Sequence, residues 1–337
     1  MSQEYLQQAI GIDVSKKKLQ CRHGLLAPGQ EIKLKSSKTL DNSKDSFDQL
    51  VEWIEKHTEK YPSVPLRIVL EATGRYHEQL IYFLNDQEYE LCVILPKNSK
   101  FFARSITKTK NDEVDAGMLA RMGLERKLEK WQAPPEELKT LKELTRELTQ
   151  LKKEATRLRN QQEAKTHAYR PEQVGLDRIE KRLELIEQQI KEVECQIDEQ
   201  VDQNEELKQT IERIEQVEGL GKRTILTVIA ETYGFALFTS IKQLCSYVGL
   251  DVIENQSGNF YGKTRISKAG NTQIRTALYF PAMTAARCNP TLSVFYGRLL
   301  DNGKAKKQAL VAVARKLLIL IYSLWKSGQE YRKGVQE

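Results

Sequence analysis

Short stretches of apolar residues, some continuous and some alternating with polar residues, dominate the first 130 residues, which is the pattern of β-strands. Five such stretches are AIGIDVS, LQCRH, EIKLKS, RIVLEATG and ELCVILP. Between the third and the fourth, the apolar residues Phe47, Leu50, Val51 and Ile54 lie three or four apart, as on one face of a helix. Three strands, a helix and then alternating strands and helices predict a mixed α/β domain over residues 1–130.

The middle of the chain carries a different repeat, in which apolar residues alternate three and four apart as in a coiled coil. A first seam runs from Leu141 to Leu158, fails around residues 167–175, and resumes from Ile179 to Ile214. Two polar residues occupy seam positions in the second arm, Gln200 and Asn204. The pattern predicts an antiparallel coiled-coil hairpin over residues 136–214. Such a hairpin either spaces two domains or pairs with a second chain, so we expect a homo-oligomer (dimer or tetramer) formed through it.

Residues 215–337 are predicted to form a mainly α-helical C-terminal domain with glycine-rich interruptions. The stretch KLLILIYSLW, residues 316–325, is nearly all apolar. It is predicted to be a buried helix, too short for a membrane span.

Charge is unevenly distributed along the chain. The net charge is +7, and the segment from Ile211 onward holds 18 Lys and Arg against 9 Asp and Glu, leaving 35 against 37 for the remainder. A basic domain suits a polyanion such as nucleic acid, and a solvated basic face is the alternative interpretation. The five cysteines are scattered, and no basic stretch precedes an apolar leader. We therefore expect neither disulfides nor a zinc site, no membrane, and a cytoplasmic, nucleoid-associated location.

Four carboxylates are candidates for a metal site. Asp13 lies inside an apolar strand and Glu71 at the end of another, where a charge is costly unless something binds it. Asp112 and Asp115 are three apart and share one face of a predicted helix. The element order is that of an RNase-H-like mixed sheet; if its first and fourth strands are neighbours, all four acids converge. Oxygen-only ligands suit Mg²⁺ or Mn²⁺, and a pair of such ions acts on phosphodiesters. Helix capping by Asp112 and turn hydrogen bonds to Asp13 are the alternatives.

Three segments resemble the blocks of the DEDD transposases of bacterial insertion sequences: GIDVSKKKL, EATGRYHEQL and NDEVDAGMLAR. In that family an RNase-H-like, RuvC-like domain precedes a coiled coil and a transposase domain. The resemblance implies that Asp13, Glu71, Asp112 and Asp115 are a metal-binding tetrad. Asn111 stands where the family usually has Thr, which leaves the acids intact.

The segment VEGLGKRT, residues 217–224, has the pattern of a helix-hairpin-helix turn. Gly219 and Gly221 would let backbone amides approach a DNA phosphate at a helix N-terminus, and Lys222 and Arg223 would add positive charge. A plain glycine-rich connection between two helices fits the same residues.

Ser257 lies in a polar, basic loop that leads into a helix. Ser-Gly is a common turn dipeptide, and the four histidines lie elsewhere in the sequence, so the residues alone do not single it out. The segments SYVGL, NQSG, RISKAGN, IRTALY and 289–322 are similar to the family's transposase domain, which implies that Ser257 is a covalent nucleophile. Val252 replaces the family's usual Pro. Four basic residues become phosphate-binding candidates: Lys263, Arg265, Lys268 and Arg275.

The resemblance covers about residues 8–325 and implies a transposase that cuts and rejoins donor and target DNA. It also implies guidance by a noncoding RNA that the element encodes, and a metal site and serine supplied by different protomers. Two other functions compete. A Holliday-junction-type endonuclease would use the same tetrad with water, and would leave Ser257 without a task. A non-catalytic nucleic-acid-binding scaffold would leave Asp13 and Glu71 unexplained.

Overall fold

The structure of the chain is a computed structural model. It describes residues 5–104, 106, 112–236, 238–253, 256–257, 260–261 and 264–332, with the backbone alone at residues 97, 104, 112, 256, 257, 260 and 261. The chain divides into two units, Met1–Ala133 and Pro134–Glu337. The first unit ends close to the predicted boundary at residue 130. The predicted hairpin and C-terminal domain form one unit because they share a hydrophobic core.

Five strands of the first unit form one mixed sheet. They are β1 (Gln7–Val14), β2 (Lys18–Leu26), β3 (Ile32–Asp41), β4 (Leu66–Glu71) and β5 (Leu91–Ile94). Their order is β3-β2-β1-β4-β5; β1, β2 and β3 are antiparallel, whereas β4 runs parallel to β1 and to β5. The predicted RNase-H-like sheet is confirmed, including the contact between the first and fourth strands.

Four helices accompany this sheet: α1 (Lys44–Thr58), α2 (Glu78–Asp86), α3 (Pro96–Arg104) and α4 (Asp112–Glu125). Ile10 and Ile12 of β1 share a core with Phe47 of α1 and Leu80 of α2. Neighbouring residues on a strand point to opposite faces, so Gly11 faces the other way, towards α4. The sheet is therefore covered on both sides, as its apolar strands require.

Helices form most of the second unit. They are α5 (Glu136–Thr166), α6 (Gln173–Asp202), α7 (Glu205–Glu215), α8 (Lys222–Glu231), α9 (Ile241–Val248), α10 (Thr272–Ala277), α11 (Tyr279–Cys288), α12 (Pro290–Asp301) and α13 (Lys306–Ser327). Four two-residue strands lie between α9 and α10: β6 (Val252–Ile253), β7 (Gln256–Ser257), β8 (Phe260–Tyr261) and β9 (Arg265–Ile266).

The hairpin of α5 and α6 is antiparallel, since Lys152 pairs with Glu194 and Arg159 with Glu187. Its second arm is shorter than the heptad pattern predicted, because α6 ends at Asp202. Asn204, predicted as a seam residue, instead caps α7 and accepts a hydrogen bond from the Leu207 amide at 2.9 Å. A short polar side chain that bonds nearby backbone amides favours a new helix start over continuation.

The predicted helix over residues 316–325 is part of α13. Its 22 residues make it long and apolar enough to cross a membrane by length and composition, so the expectation that length excludes a span was wrong. One face of α13, including Val313, Leu317 and Ile321, is buried in the core of the second unit. The core helix of a folded domain has the same composition.

Candidate active site

Asp13 and Glu71 lie at the same edge of the sheet. The paired residues of the parallel strands β1 and β4 end at Ile12 and Leu70, so the two acids are the next residue of each strand. Glu71 in turn pairs with Ile94 of β5. Both carboxylates are half-buried. Carboxyl ends of neighbouring parallel strands therefore carry both acids, as the sequence predicted.

Helix α4 brings the other two acids to this edge. A Cβ added to Gly11 would lie 2.1 Å from the Ala116 carbonyl oxygen, so backbone packs directly on backbone. Gly123, further along the helix, lies against Ala9, which is earlier on β1. The helix therefore runs antiparallel to β1, and its first turn, with Asp112 and the half-buried Asp115, comes at the Asp13 end. The side chain of Asp112 is outside the described residues.

The chemistry of these donors fits a hard divalent cation. Asp13, Glu71 and Asp115 offer oxygen ligands only, as Mg²⁺ and Mn²⁺ prefer. Among the side chains that the structure describes, which do not include Asp112, no group of three or more His, Cys, Asp or Glu residues is arranged to hold a metal ion. The fit of a divalent cation to this site thus rests on the oxygen ligands and on their common position at one end of the sheet.

Sequence reasoning missed one polar contact of Glu71 and two buried polar groups that follow it in the chain. The Ser99 hydroxyl, on the first turns of α3, donates a hydrogen bond to Glu71 Oε2. Thr73 Oγ1 and His77 Nδ1 are buried without a hydrogen-bond partner in the described part of the chain. Burial also lowers the pKa of His77, which favours the neutral ring. The segment EATGRYH held Thr73 and His77, whereas nothing in the sequence connected Ser99 to the site.

Ser257 lies on a β-ribbon, where the sequence suggested a loop. At the base of the ribbon Val252 pairs with Ile266, and further out Gln256 pairs with Tyr261 and Ser257 with Phe260. Only residues 258 and 259 separate the last pair. Ser257 is therefore the last described residue of its strand, and its side chain is not among those described.

At the base of the ribbon, the sequence RISKAGN suggests that Ser267 caps a helix. The structure shows a different role, because the Ser267 hydroxyl donates a hydrogen bond to the Asp251 carboxylate. Asn271 is the residue that caps α10, accepting from the Ile274 amide at 3.2 Å. Ser267 thus joins the two strands that enter and leave the ribbon.

The glycine-rich connection between α7 and α8 is present, and its basic residues have protein partners. Gly219 has a φ of 95°, and a Cβ there would lie 2.6 Å from the Ala285 backbone nitrogen, so close packing on α11 requires glycine. A Cβ on Gly221 would meet nothing within 4 Å. Lys222 Nζ and Arg223 Nη2 lie 2.8 and 3.2 Å from the two carboxylate oxygens of Asp198.

Asp198 keeps its charge at this connection. Burial would raise its pKa, but the hydrogen bond from Lys222 and the charge of Arg223 outweigh burial and lower it. A nucleic-acid phosphate would therefore have to displace Asp198 to engage these two cations fully.

The four remaining basic candidates differ in their surroundings. Arg265 and Lys268 are exposed at the base of the ribbon, and Lys263 lies outside the described residues. Arg275 is half-buried and donates a hydrogen bond to the Val248 carbonyl oxygen at 2.6 Å. Burial lowers its pKa. The contact fixes the end of α9 against α10, a structural role that sequence reasoning missed.

Two transposase family models match the chain and together cover about three quarters of it. The DEDD transposase model named for IS110, described as "Transposase", matches residues 10–171, and the model described as "Transposase IS116/IS110/IS902 family" matches residues 211–297. The first match contains all four candidate acids, and the second contains Ser257.

Curated relatives agree with these matches. The chain is 26% identical over 302 residues to the pilin gene-inverting protein of Moraxella bovis, covering 89% of this chain and 91% of the relative. It is 31% identical over 143 residues to the transposase for insertion sequence element IS1111A of Coxiella burnetii, covering 40% of this chain and 39% of the relative. Among solved structures, RuvC of T. thermophilus in complex with a Holliday junction substrate matches 34% of this chain and 91% of its own, with 11% identity and a TM-score of 0.27.

Proposed function

The chain belongs to the IS116/IS110/IS902 family of transposases and is a DNA recombinase, and we propose that it cuts and rejoins DNA with a DEDD metal site and a serine nucleophile. The observation that carries this proposal is the common edge of the sheet where Asp13 and Glu71 end neighbouring parallel strands and α4 begins. Three separate segments of the sequence meet there, and each supplies an acid.

The acids have one task in this proposal. Asp13, Glu71, Asp112 and Asp115 would hold Mg²⁺ or Mn²⁺, with two ions as the expected number, and the bound metal would polarise the scissile phosphate and stabilise the leaving oxygen. Ser99 fixes the orientation of the Glu71 carboxylate through its hydroxyl. Carboxylate oxygens brought to one end of the sheet by three separate segments are the donors that such a cation prefers.

Ser257 has the complementary task. Its hydroxyl oxygen attacks the scissile phosphorus, a P–O bond to one sugar breaks, and the freed sugar oxygen takes up a proton. The phosphoserine conserves the energy of the broken bond. The hydroxyl of another DNA end then attacks the same phosphorus and releases the serine, so strands rejoin without ATP. The basic ribbon base, with Arg265 and Lys268 exposed, would hold the DNA backbone near this serine.

In this proposal a noncoding guide RNA selects the DNA sequences to be joined, by pairing with donor and target DNA. The basic excess from residue 211 onward suits RNA and DNA backbones equally. Base pairing would then select the target while the protein contacts backbone and shape. Omitting the RNA should abolish cleavage at the target, and altering its pairing segment should redirect it. Unchanged cleavage without RNA would remove guidance from the proposal.

Covalent trapping tests the chemistry. Labelled donor DNA, guide RNA and Mg²⁺ are incubated with the protein and then denatured. The wild type should give a protein–DNA adduct on Ser257, identified by peptide mass spectrometry. Ser257→Ala and Asp13→Asn should both bind DNA without forming it, and Ser267→Ala is the matched control that should still form it.

Other outcomes select the competing functions. An adduct on another residue would reject Ser257 and spare the tetrad. Cut products without any adduct would indicate a nuclease of the Holliday-junction type that uses water. DNA binding that is equal with and without chelator, with no cleavage under either condition, would indicate a non-catalytic scaffold.

A further inference from the structure

A polar cluster around one buried glutamate of the second unit joins elements that are distant in sequence. It consists of Arg146 on α5, Glu231 at the end of α8, Tyr247 on α9, and Asn271, the cap of α10. Arg146 Nε and Nη2 lie 2.5 and 2.9 Å from the two carboxylate oxygens of Glu231. The Asn271 amide donates to Glu231 Oε2 at 2.7 Å, and the Tyr247 hydroxyl donates to the Glu231 carbonyl oxygen at 3.1 Å.

Glu231 is the centre of this polar cluster, and its side chain is fully buried. Burial would raise its pKa, but the hydrogen bonds from Arg146 and Asn271 outweigh burial and lower the pKa, so the carboxylate stays charged. A buried ion pair gives little net stability compared with apolar residues of the same volume. One attested use of such a pair is to specify a single arrangement, because only one geometry satisfies every partner.

The cluster lies at the root of the Ser257 ribbon. Three backbone hydrogen bonds show this. The backbone N–H of Asn271 donates to the Tyr247 carbonyl oxygen at 2.8 Å, that of Lys268 to the Gly249 carbonyl oxygen at 3.1 Å, and that of Ser267 to the Asp251 carbonyl oxygen at 3.0 Å. The next pair outward, Val252 with Ile266, begins the ribbon itself. The segments 247–253 and 265–271 are thus joined by hydrogen bonds from the cluster to the first strand pair.

Two glycines allow this close approach. A Cβ on Gly270 would lie 2.2 Å from the Tyr247 carbonyl oxygen, and one on Gly249 would lie 3.1 Å from the Lys268 carbonyl carbon. Both residues have positive φ, 158° and 77°. The two backbones of the root are therefore closely packed, and the hydrogen bonds of the cluster join the root to α5 and α8.

We propose that Arg146, Glu231, Tyr247 and Asn271 are positioning residues that orient the Ser257 ribbon relative to the helical body of the second unit. This inference rests on the proposed role of Ser257. The cluster touches no reacting atom; it sets the direction in which the ribbon leaves the root. A nucleophile displaced by about 1 Å can lose on the order of 100-fold in rate, so a device that fixes the root has a direct effect on catalysis.

Asn271→Asp is the sharpest variant. Aspartate keeps the side-chain oxygen that caps α10. It replaces the amide NH2 group, which donates to Glu231, with a carboxylate oxygen that repels the Glu231 carboxylate. The rate of Ser257 adduct formation, measured in a single turnover at saturating DNA, should fall on the order of 100-fold. DNA affinity should stay within about two-fold, because the exposed phosphate contacts are untouched.

A matched control lies in the same unit. Asn289 is fully buried, caps α12 through the Leu292 amide at 3.0 Å, and donates its side-chain amide to Glu218 at 3.1 Å. Asn289→Asp makes the same chemical change away from the ribbon root. It should lower the melting temperature as Asn271→Asp does, yet leave the single-turnover rate unchanged.

A double variant provides the rescue. Glu231→Gln combined with Asn271→Asp exchanges amide and carboxylate, so donor and acceptor are again paired and Arg146 retains an anion nearby. Most of the lost rate should return, giving a large coupling energy in the double-mutant cycle. A rate loss that is equal in Asn289→Asp, or that the exchange does not reverse, would overturn the positioning role. A wild type that forms no Ser257 adduct would instead overturn the proposed nucleophile.

Discussion

Glu71 accepts a hydrogen bond from the hydroxyl of Ser99, a residue of α3 that follows the neighbouring strand β5. The contact ties one candidate metal ligand to a helix outside the DEDD pattern. Residues that orient a ligating carboxylate affect metal affinity without binding the metal themselves.

Ser99→Ala should therefore lower cleavage by roughly 10- to 100-fold at limiting Mg²⁺, because the Glu71 carboxylate loses its fixed orientation. Higher Mg²⁺ should restore part of the rate. Ser99→Thr keeps a hydroxyl and is the control. The measurement is the cleavage rate as a function of Mg²⁺ concentration; curves that coincide for wild type and Ser99→Ala would show that Glu71 needs no such support.

The contact between Gly11 and α4 gives a second prediction. A Cβ at Gly11 would clash with the Ala116 carbonyl oxygen and the Ala120 amide nitrogen, at 2.1 and 2.3 Å. Gly11→Ala should push α4 off the sheet, cost about 1–3 kcal/mol or more of stability, and move Asp115 away from Asp13. Cleavage should be lost while binding by the second unit persists.

Gly117 is the matched control for that change, since it lies on α4 and a Cβ there would be 3.4 Å from the nearest atom, a Leu34 methyl. Gly117→Ala should be neutral or slightly stabilising, because alanine favours helix. The measurements are the melting temperature and the cleavage rate of Gly11→Ala and Gly117→Ala. Equal behaviour would mean that the packing of α4 does not place the acids.

Much of the first unit could be predicted from the sequence, because its strands have strong local patterns. Alternation and apolar runs identified every strand of the sheet, and the charges in two apolar strands made Asp13 and Glu71 candidate metal ligands. Ser99 could not be found this way, since its contact with Glu71 depends on the angle at which α3 leaves β5. Tertiary geometry decides such contacts.

The second unit was harder to predict for a related reason. The heptad pattern identified the hairpin, but Asn204 could be either a polar seam residue or a cap, and local hydrogen bonding favoured the cap. Glu231 appeared as one acid in a helix, although it is the buried centre of a polar cluster. Short strands such as β7 and β8 carry too few residues for any periodicity to show.

The basic residues make a third prediction, through salt dependence. Arg265 is exposed at the ribbon base, so Arg265→Gln should weaken binding to all DNA sequences. The slope of log affinity against log salt should become shallower by about 0.9 on duplex DNA or 0.7 on single strands. Lys222→Gln provides the comparison, because Lys222 is already paired with Asp198. We expect its slope to match the wild type. A shallower slope for Lys222→Gln would instead assign a phosphate contact to the glycine-rich connection between α7 and α8.

The last prediction concerns the homo-oligomer expected from the coiled-coil pattern, and the structure indicates which residue should be tested. The seam residues Ile186 and Ile190 pack against the core between α5 and α6, so charging them lowers the stability of the hairpin itself. Leu185, on α6, is 55% exposed and contributes little to that core. An exposed leucine on a long helix is a suitable anchor for a second copy, and burying one contributes roughly 1.5–3 kcal/mol.

Leu185→Glu should therefore halve the mass seen by light scattering while leaving the helix content and melting temperature unchanged. Leu185→Met, which keeps an apolar side chain, should retain the oligomer. Ile186→Asp should instead lower the melting temperature, and this variant should lose the oligomer only as the hairpin unfolds. If Leu185→Glu keeps the wild-type mass, this face of α6 is solvated and copies of the chain must associate through another surface.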